Sequence, residues 1–546
     1  MKSLINKKMK KENNYNNKTK YRFLGPVLIV VFLMSSCSLD ITETDSLKTK
    51  GASAVFNGVE SPAGSLTNIY NGISGQTEDQ SNLYSLTEVS TDELLVPTRG
   101  TDWGDNGIWR TVHTHTFGPT HAQVIGVWND KNAAVLRCTE VIDPLSKASP
   151  AQVAEAKFAR AYNMWIVMDF WGQVPFRNPK DGPDVTPTVL TRKEAYDLVV
   201  KDLTEAIVDL PASAPTSANK LRPVKATARF FLAKVKLNSI VYNGSYATND
   251  LNDVISLVDA IEAEGYAVVG GNYFNLFKGP TFTNTDVIWN VQAGTGNRMW
   301  NGLHYNQVRT SEVDGTGTNT GGGWNGFSTL TEFYQKFEGP AATNSLGSGQ
   351  EERRGYTQTL ASTNASNEGF GFGFQFGQMY GWKDGAAVAL KDRTGKPLVF
   401  TLAFAESGLI GNNETTGARL LKYSPANGAF RGGVVMARFA DAHLMRAEAI
   451  LRGGTAAGKT ALGEVNKLRA LRANTSALTS IDLARMLDER GRELYTEGWR
   501  RNDMIRFGVF KAAKQFKPAG DGHTDLFPIP ASALLSNPGL KQNPGY

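Results

Sequence analysis

Apolar positions recur at three- and four-residue steps through two blocks of the chain and lose that rhythm between them. The first block, residues 54–264, contains HAQVIGVWNDKNAAVLRCTEVIDPL, PAQVAEAKFARAYNMWIVMDFWG, TRKEAYDLVVKDLTEAIVDL, VKATARFFLAKVKLNSIVY and DLNDVISLVDAIEAE, each spaced as an amphipathic helix. Pro150 stands at a first helical position, and Thr191 with Glu194 forms a capping box. Small residues such as Ala228 and Ala233 alternate with bulky ones, as antiparallel helical hairpins of a degenerate tetratricopeptide type require. The second block, 436–546, holds MARFADAHLMRAEAILRG, KTALGEVNKLRALRA and DLARMLDERGRELYTEGWRRNDMIRFGVF. Residues 265–435 are instead rich in Gly, Asn, Thr and aromatics, with only short runs. The expectation is a mainly α fold of helical hairpins carrying a loop-rich insertion with short β-strands. Loops held on a rigid frame are where binding residues concentrate.

Charge modifies that reading at both ends of the chain. The formal net charge is +6, but residues 1–36 carry eight Lys and Arg against Glu12, so the remainder is near neutral. No basic footprint for nucleic acid is left. The lysine-rich start precedes an apolar run, FLGPVLIVVFLM over 23–34, too short to span a bilayer and suited to an export signal. Ser35 and Ser36 lead into Cys37, which resembles the lipidated cysteine of a bacterial lipoprotein, although Met34 stands where leucine is usual. The expected division is a leader over 1–36, a lipid-anchored tether over 37–53 and a single domain over 54–546. With Cys37 acylated, Cys138 has no partner for a disulfide and reads as a small buried hydrophobe.

In 482–510, Leu483, Met486, Leu487 and Leu494 form an apolar stripe crossed by Arg490, with Glu489, Glu493 and Glu497 among several arginines. Such a cluster can be acid–base machinery, but buried ion pairs locking neighbouring helices account for it more simply. Gly453 to Thr460 spells GxxxxGK[ST], yet helical spacing precedes it where a phosphate loop needs a buried strand, so it reads as a hairpin turn. His113, His115 and His121 could share a metal, with the first two on a strand face; hydrogen-bonded loop histidines are the plainer alternative. Asp92 and Glu93, in STDELLVPTRGTDW, can be a local ion pair as readily as a ligand contact.

The loop tryptophans point to a ligand. Trp103 and Trp109 lie in TDWGDNGIWR, Trp300 in GNRMWNGLHY, Trp324 in GGGWNGF and Trp382 in MYGWKDG. An indole beside Asp, Asn and Gly offers a flat apolar face with polar groups alongside, which is what a sugar ring needs. The alternative is that each indole plugs its loop onto the frame.

Several segments, in order along nearly the whole chain, resemble the SusD/RagB family of outer-membrane lipoproteins. They are AEAKFARAYNMWIVMDFWGQVPF, STDELLVPTRGTDW, GWNGFSTLTEFYQKFE followed by EERRG, HLMRAEAILRGG, ERGRELYTEGWRRNDMIRFG and the terminal LFPIPASALLSNPGLKQNPGY. The resemblance implies a SusD-like fold and a non-catalytic, lipid-anchored protein at the outer face of the outer membrane. It implies capture of oligo- or polysaccharide for a SusC-like TonB-dependent transporter, with no cofactor required and a structural calcium ion left open. By this analogy Trp103, Trp300 and Trp324 are the stacking platforms, with Asp102 and Arg99 as polar partners. A peptide-binding relative and a surface glycoside hydrolase are the competing readings.

Overall fold

The computed structural model describes residues 56–546, apart from 183, 213, 218–219, 279–282, 293–299, 310–321 and 428–432. The expected export leader, Cys37 and the expected tether lie outside the described residues.

Helices dominate. In chain order the principal ones are α1 (Pro62–Glu78), α2 (Ile108–Thr114), α3 (Ala122–Ile142), α4 (Pro150–Trp171), α5 (Arg192–Asp209), α6 (Lys225–Leu237) and α7 (Asp250–Ala263). After the insertion come α8 (Phe439–Leu451), α9 (Ala461–Arg469), α10 (Leu483–Leu494) and α11 (Arg500–Arg506). Local chemistry sets several boundaries. Ser149 and Gln152 cap α4 reciprocally with Pro150 at its first position, and Thr191 and Glu194 do the same for α5. From α3 to α9, consecutive helices pack against one another, as the hairpin reading requires.

The stack runs straight across the insertion, because α7 packs directly on α8 although more than 170 residues of chain separate them. An antiparallel ladder closes the base of that excursion, pairing Val287–Gln292 with Gly433–Arg438. The second helical block therefore begins at Phe439 rather than at Met436, since Met436 to Arg438 belong to that strand. Short sheets decorate the excursion, among them a three-stranded one centred on Phe372–Gln375 and a hairpin of Tyr380–Lys383 with Ala386–Ala389.

The segment 482–510 is two helices, not one. Tyr495 to Trp499 interrupt it, and Thr496 sits at φ +58° in the left-handed region. Glu497 thus leaves the helix that carries Glu489 and Glu493. All three are buried and paired. Glu489 meets Arg353 at 2.7 Å, Arg469 at 2.6 Å and Arg492 at 2.5 Å. Glu493 meets Arg472 at 2.7 Å and Arg438 at 2.8 Å, and Glu497 meets Arg438 at 2.8 Å and Lys422 at 2.5 Å. Burial alone would raise the Glu489 carboxyl, but Arg353, Arg492 and Arg469 hold it down at about 2.

The same segment reaches back to the first block. Arg490 bridges Asp441, which also pairs with Lys234 of α6; Arg500 clasps Asp92 at 2.7 Å; and Arg506 reaches Asn238 at 2.9 Å. Arginines and glutamates therefore weld both helical blocks and, through Arg353, the insertion. Asp92 is one of these structural ions.

Candidate functional site

Arg99 and Asp102 exchange backbone hydrogen bonds of 2.9 and 3.0 Å across Gly100 and Thr101, making a tight turn with Gly100 at φ +60°. Beyond it Trp103 is itself held at φ +60°, a costly conformation for an aromatic residue that surrounding contacts must enforce. Its indole N–H donates to the Trp324 carbonyl at 2.8 Å, and its ring meets Trp109 edge to face at 5.6 Å. Gly326 permits this approach, since a Cβ there would come within 2.7 Å of Trp103 Cζ2.

Trp324 is fastened from behind: its amide donates to the Trp300 carbonyl at 2.9 Å, leaving the side chain 38% exposed. Together Trp103, Trp324 and Tyr305 line an open cleft of about 820 Å³, with Asp102, Gln80, Asn82 and Gln123 among the polar groups around it. Asp102 accepts from the Tyr305 hydroxyl at 3.0 Å and pairs with Arg393, whose guanidinium lies 4.0 Å from the centre of the Tyr305 ring. Arg393 also pairs with Glu414, which accepts from His304 at 3.1 Å. Burial lowers His304 to about 4, so a neutral imidazole takes part in that bond near pH 7. The Tyr305 phenol is pushed up to about 12, by burial first and then by Asp102. Every polar group here is an acceptor or donor suited to hydroxyls, and the walls carry aromatic faces.

Two of the residues expected at the site stand behind it. Trp300 is 5% exposed, its ring packed in the main core, so it offers no face to a ligand and serves through its carbonyl. Arg99 is 2% exposed, donating to the Asn413 carbonyl at 2.9 Å, the Thr416 carbonyl at 2.5 Å and the Ser328 hydroxyl at 2.6 Å. Burial pulls its guanidinium down to about 9, and its work is to pin the turn that presents Asp102. Trp103, Trp324 and Asp102 do converge. Sequence reasoning passed over Tyr305 and Arg393. Tyr305 sits five residues beyond Trp300 in the same quoted segment, and Arg393 joins the site only through the fold.

The remaining candidates resolve into scaffold. His113 lies in α2 and His115 caps it, so neither is on a strand. Their rings bond the Gln515 and Ser90 carbonyls at 2.8 and 2.7 Å, while His121 bonds the Ile108 carbonyl at 3.1 Å. Gly453 to Thr460 is the turn between α8 and α9; Thr460 caps α9 and Lys459 pairs with Asp259 at 2.7 Å. Cys138 is buried, and its thiol is pushed up to about 12 by burial. Among the described residues no group of three or more His, Cys, Asp or Glu is placed to hold a metal ion. Among them, too, no helix is long and apolar enough to cross a membrane.

Comparison with known proteins bears on the family and the fold. The SusD family profile matches residues 285–546, and a second profile described as "Starch-binding associating with outer membrane" matches 54–237. The chain belongs to the SusD family. It is 25% identical over 516 residues to the starch-binding protein SusD of Bacteroides thetaiotaomicron, an alignment covering 87% of this chain and 88% of that protein. Among solved structures, a SusD-like protein of Bacteroides fragilis superposes with a TM-score of 0.65 at 19% identity, covering 88% of this chain and 96% of that one. A laminarin-binding SusD-like protein gives 0.60 at 20% identity, covering 89% and 99%. The surface glycan-binding protein A of Bacteroides thetaiotaomicron, solved with laminarihexaose, gives 0.59 at 19%, covering 88% and 98%. The mainly α SusD-like fold expected from the sequence is therefore the fold of this chain.

Proposed function

We propose that this SusD-family protein binds a neutral oligo- or polysaccharide in the Trp103–Trp324–Tyr305 cleft, without chemistry and without a cofactor. The observation that carries the reading is the pairing of a 38%-exposed Trp324 and a partly exposed Trp103 with hydroxyl-seeking groups in one open cleft. Sugar C–H faces stack on indole while hydroxyls bond to Asp, Asn and Gln. Related proteins bind starch and laminarin, which supports a glucan as the first ligand to try. The wider role follows the family: Cys37 carries lipid, the protein sits on the exterior of the outer membrane, and the glycan passes to a SusC-like TonB-dependent transporter.

Native gels containing starch, laminarin, mannan or xylan test the binding. Retardation of the wild type by at least one, lost in Trp324→Ala, is the expected result. Retardation by none, with saturable binding of a peptide mixture instead, would favour the peptide reading. Asp102 and Asp105 both line the cleft, which is the observation a hydrolase reading would use. Asp102 is engaged by Tyr305 and Arg393, and Asp105 accepts from the Trp109 indole at 2.9 Å. No release of reducing ends from the retained glycan is expected. Acyl labelling lost in Cys37→Ala, and co-purification of a TonB-dependent transporter with the wild type, test the anchor and the partner.

A further inference from the structure

Trp382, a tryptophan outside the cleft, stands on the hairpin of Tyr380–Lys383 with Ala386–Ala389. Asp384 and Gly385 make its two-residue turn, at φ +52° and +79°, both in the left-handed region that a tight hairpin of this kind requires. Side chains alternate across a ribbon, so the register puts Tyr380 and Trp382 on one face with their cross-strand partners Ala389 and Ala387. The other face is taken. A Cβ on Gly381 would come within 2.9 Å of Leu390 Cδ2, and Leu390 packs on the small apolar cluster of Met379, Leu398 and Phe400. Tyr380 and Trp382 therefore point away from the packing that holds the hairpin down. Both stay partly exposed. Among the described residues neither joins an apolar core cluster, meets another ring or a cation, or hydrogen-bonds through its side chain. An isolated two-stranded hairpin is marginal in water, and aromatic or β-branched residues opposite these rings would strengthen it. Alanine stands opposite both instead, leaving the flanks of the rings open. Single exposed apolar side chains are ordinary, but here two aromatics share one face about 7 Å apart along the strand, each with an uncommitted donor. Sugar C–H faces stack on such rings while hydroxyls accept from the indole N–H and the phenol.

The hairpin runs straight into the rim of the cleft. The Lys391 carbonyl accepts from the Asn306 side chain at 2.7 Å, and Arg393 pairs with Asp102 beneath Tyr305. Arg393 is six residues beyond Ala387, which limits the gap between their Cα atoms to about 22 Å. A polysaccharide held in the cleft spans that distance, and its second contact then forms at high effective concentration. Two rings and two methyl groups offer on the order of a few hundred Å², short of the about 800 Å² per partner of a stable protein interface. We propose that the Tyr380–Trp382 face is a second glycan-contact surface, separate from the cleft, that grips the same polysaccharide and favours long chains over short oligosaccharides. This rests on the glycan reading above.

Affinity electrophoresis and calorimetry on the full chain test it, with starch, laminarin, mannan or xylan, whichever retards the wild type, and the trisaccharide cut from that polymer. Trp382→Ala is expected to weaken polysaccharide binding about tenfold, by loss of one contact of a linked pair. The trisaccharide, held by the cleft alone, should bind within about twofold of wild type. Ala389→Glu puts a charged chain beside Tyr380 at an exposed position and keeps both rings, and it should reproduce the loss. Both variants should melt within about 1 °C of wild type, since neither changes a core residue. Trp324→Ala should instead weaken polysaccharide and trisaccharide together. Undiminished polysaccharide binding in either hairpin variant overturns the second surface while the cleft reading stands. An equal loss of polysaccharide and trisaccharide in Trp382→Ala also overturns it, by making Trp382 a support of the cleft. Retention of no polysaccharide by the wild type overturns the cleft reading and the second surface with it.

Discussion

Arg353 is the residue on which the insertion and the helical frame depend together. It is fully buried, pairing with Glu351 at 3.0 Å, Glu489 at 2.7 Å and Glu493 at 3.2 Å. Arg353→Met keeps most of the apolar stem and removes the guanidinium. Glu489 then retains Arg469 and Arg492, and Glu493 retains Arg438 and Arg472. Glu351 loses its ion pair. Removing one partner of a buried pair costs about 3–5 kcal/mol, and the retained cations put this case near 3. At about 2 cal/mol/K of unfolding entropy per residue over roughly 490 residues, that lowers the melting temperature by about 3 °C.

Differential scanning calorimetry from pH 2 to pH 7 checks both the size and the origin. Glu489 is depressed from its ordinary 4.5 to about 2 in the folded protein. Its stabilisation is present above the ordinary value and is lost as pH falls toward 2. The gap between variant and wild type should therefore be widest near neutrality and should narrow below about pH 4.5. Glycan retention should be unchanged, because Arg353 does not line the cleft. A variant as stable as wild type at pH 7, or a gap that widens in acid, refutes the account of this network as the weld of the frame.

The two cleft tryptophans should separate in their effects. Trp324→Ala is expected to weaken binding about tenfold to a hundredfold, by loss of an aromatic platform, with the melting temperature within about 1 °C. Trp103→Ala should weaken binding and also lower the melting temperature, because Trp103 packs on Trp109 and bonds the Trp324 carbonyl; an unchanged melting temperature would contradict that packing. Gly326→Ala should destabilise the native state and reduce binding together, since its Cβ collides with Trp103; thermal melts and gel retardation on one preparation check both. Cys138 should resist a thiol reagent at pH 8 until the protein unfolds, being fully buried with its thiol held at about 12; rapid labelling of native protein would refute this.

The sequence by itself determined the frame. Helical periodicity, Pro150 and the Thr191–Glu194 box reproduce α4 and α5 because such signals act over one or two turns of local chain. It also marked the glycine- and aromatic-rich excursion and separated the Gly453–Thr460 turn from a true phosphate loop. Tertiary structure decided which aromatic stands exposed in the cleft. Trp300 and Trp324 have much the same glycine- and asparagine-rich surroundings in sequence, yet one ring fills the core and the other stands 38% exposed. Burial of these two loop indoles is set by what packs on them from elsewhere in the chain, and their aperiodic local surroundings do not encode it. Arg99 shows the same limit: its partners are Ser328, Asn413 and Thr416, more than two hundred residues away. So do Arg393 and Tyr305, which reach Asp102 only after the insertion has folded back over the helical stack.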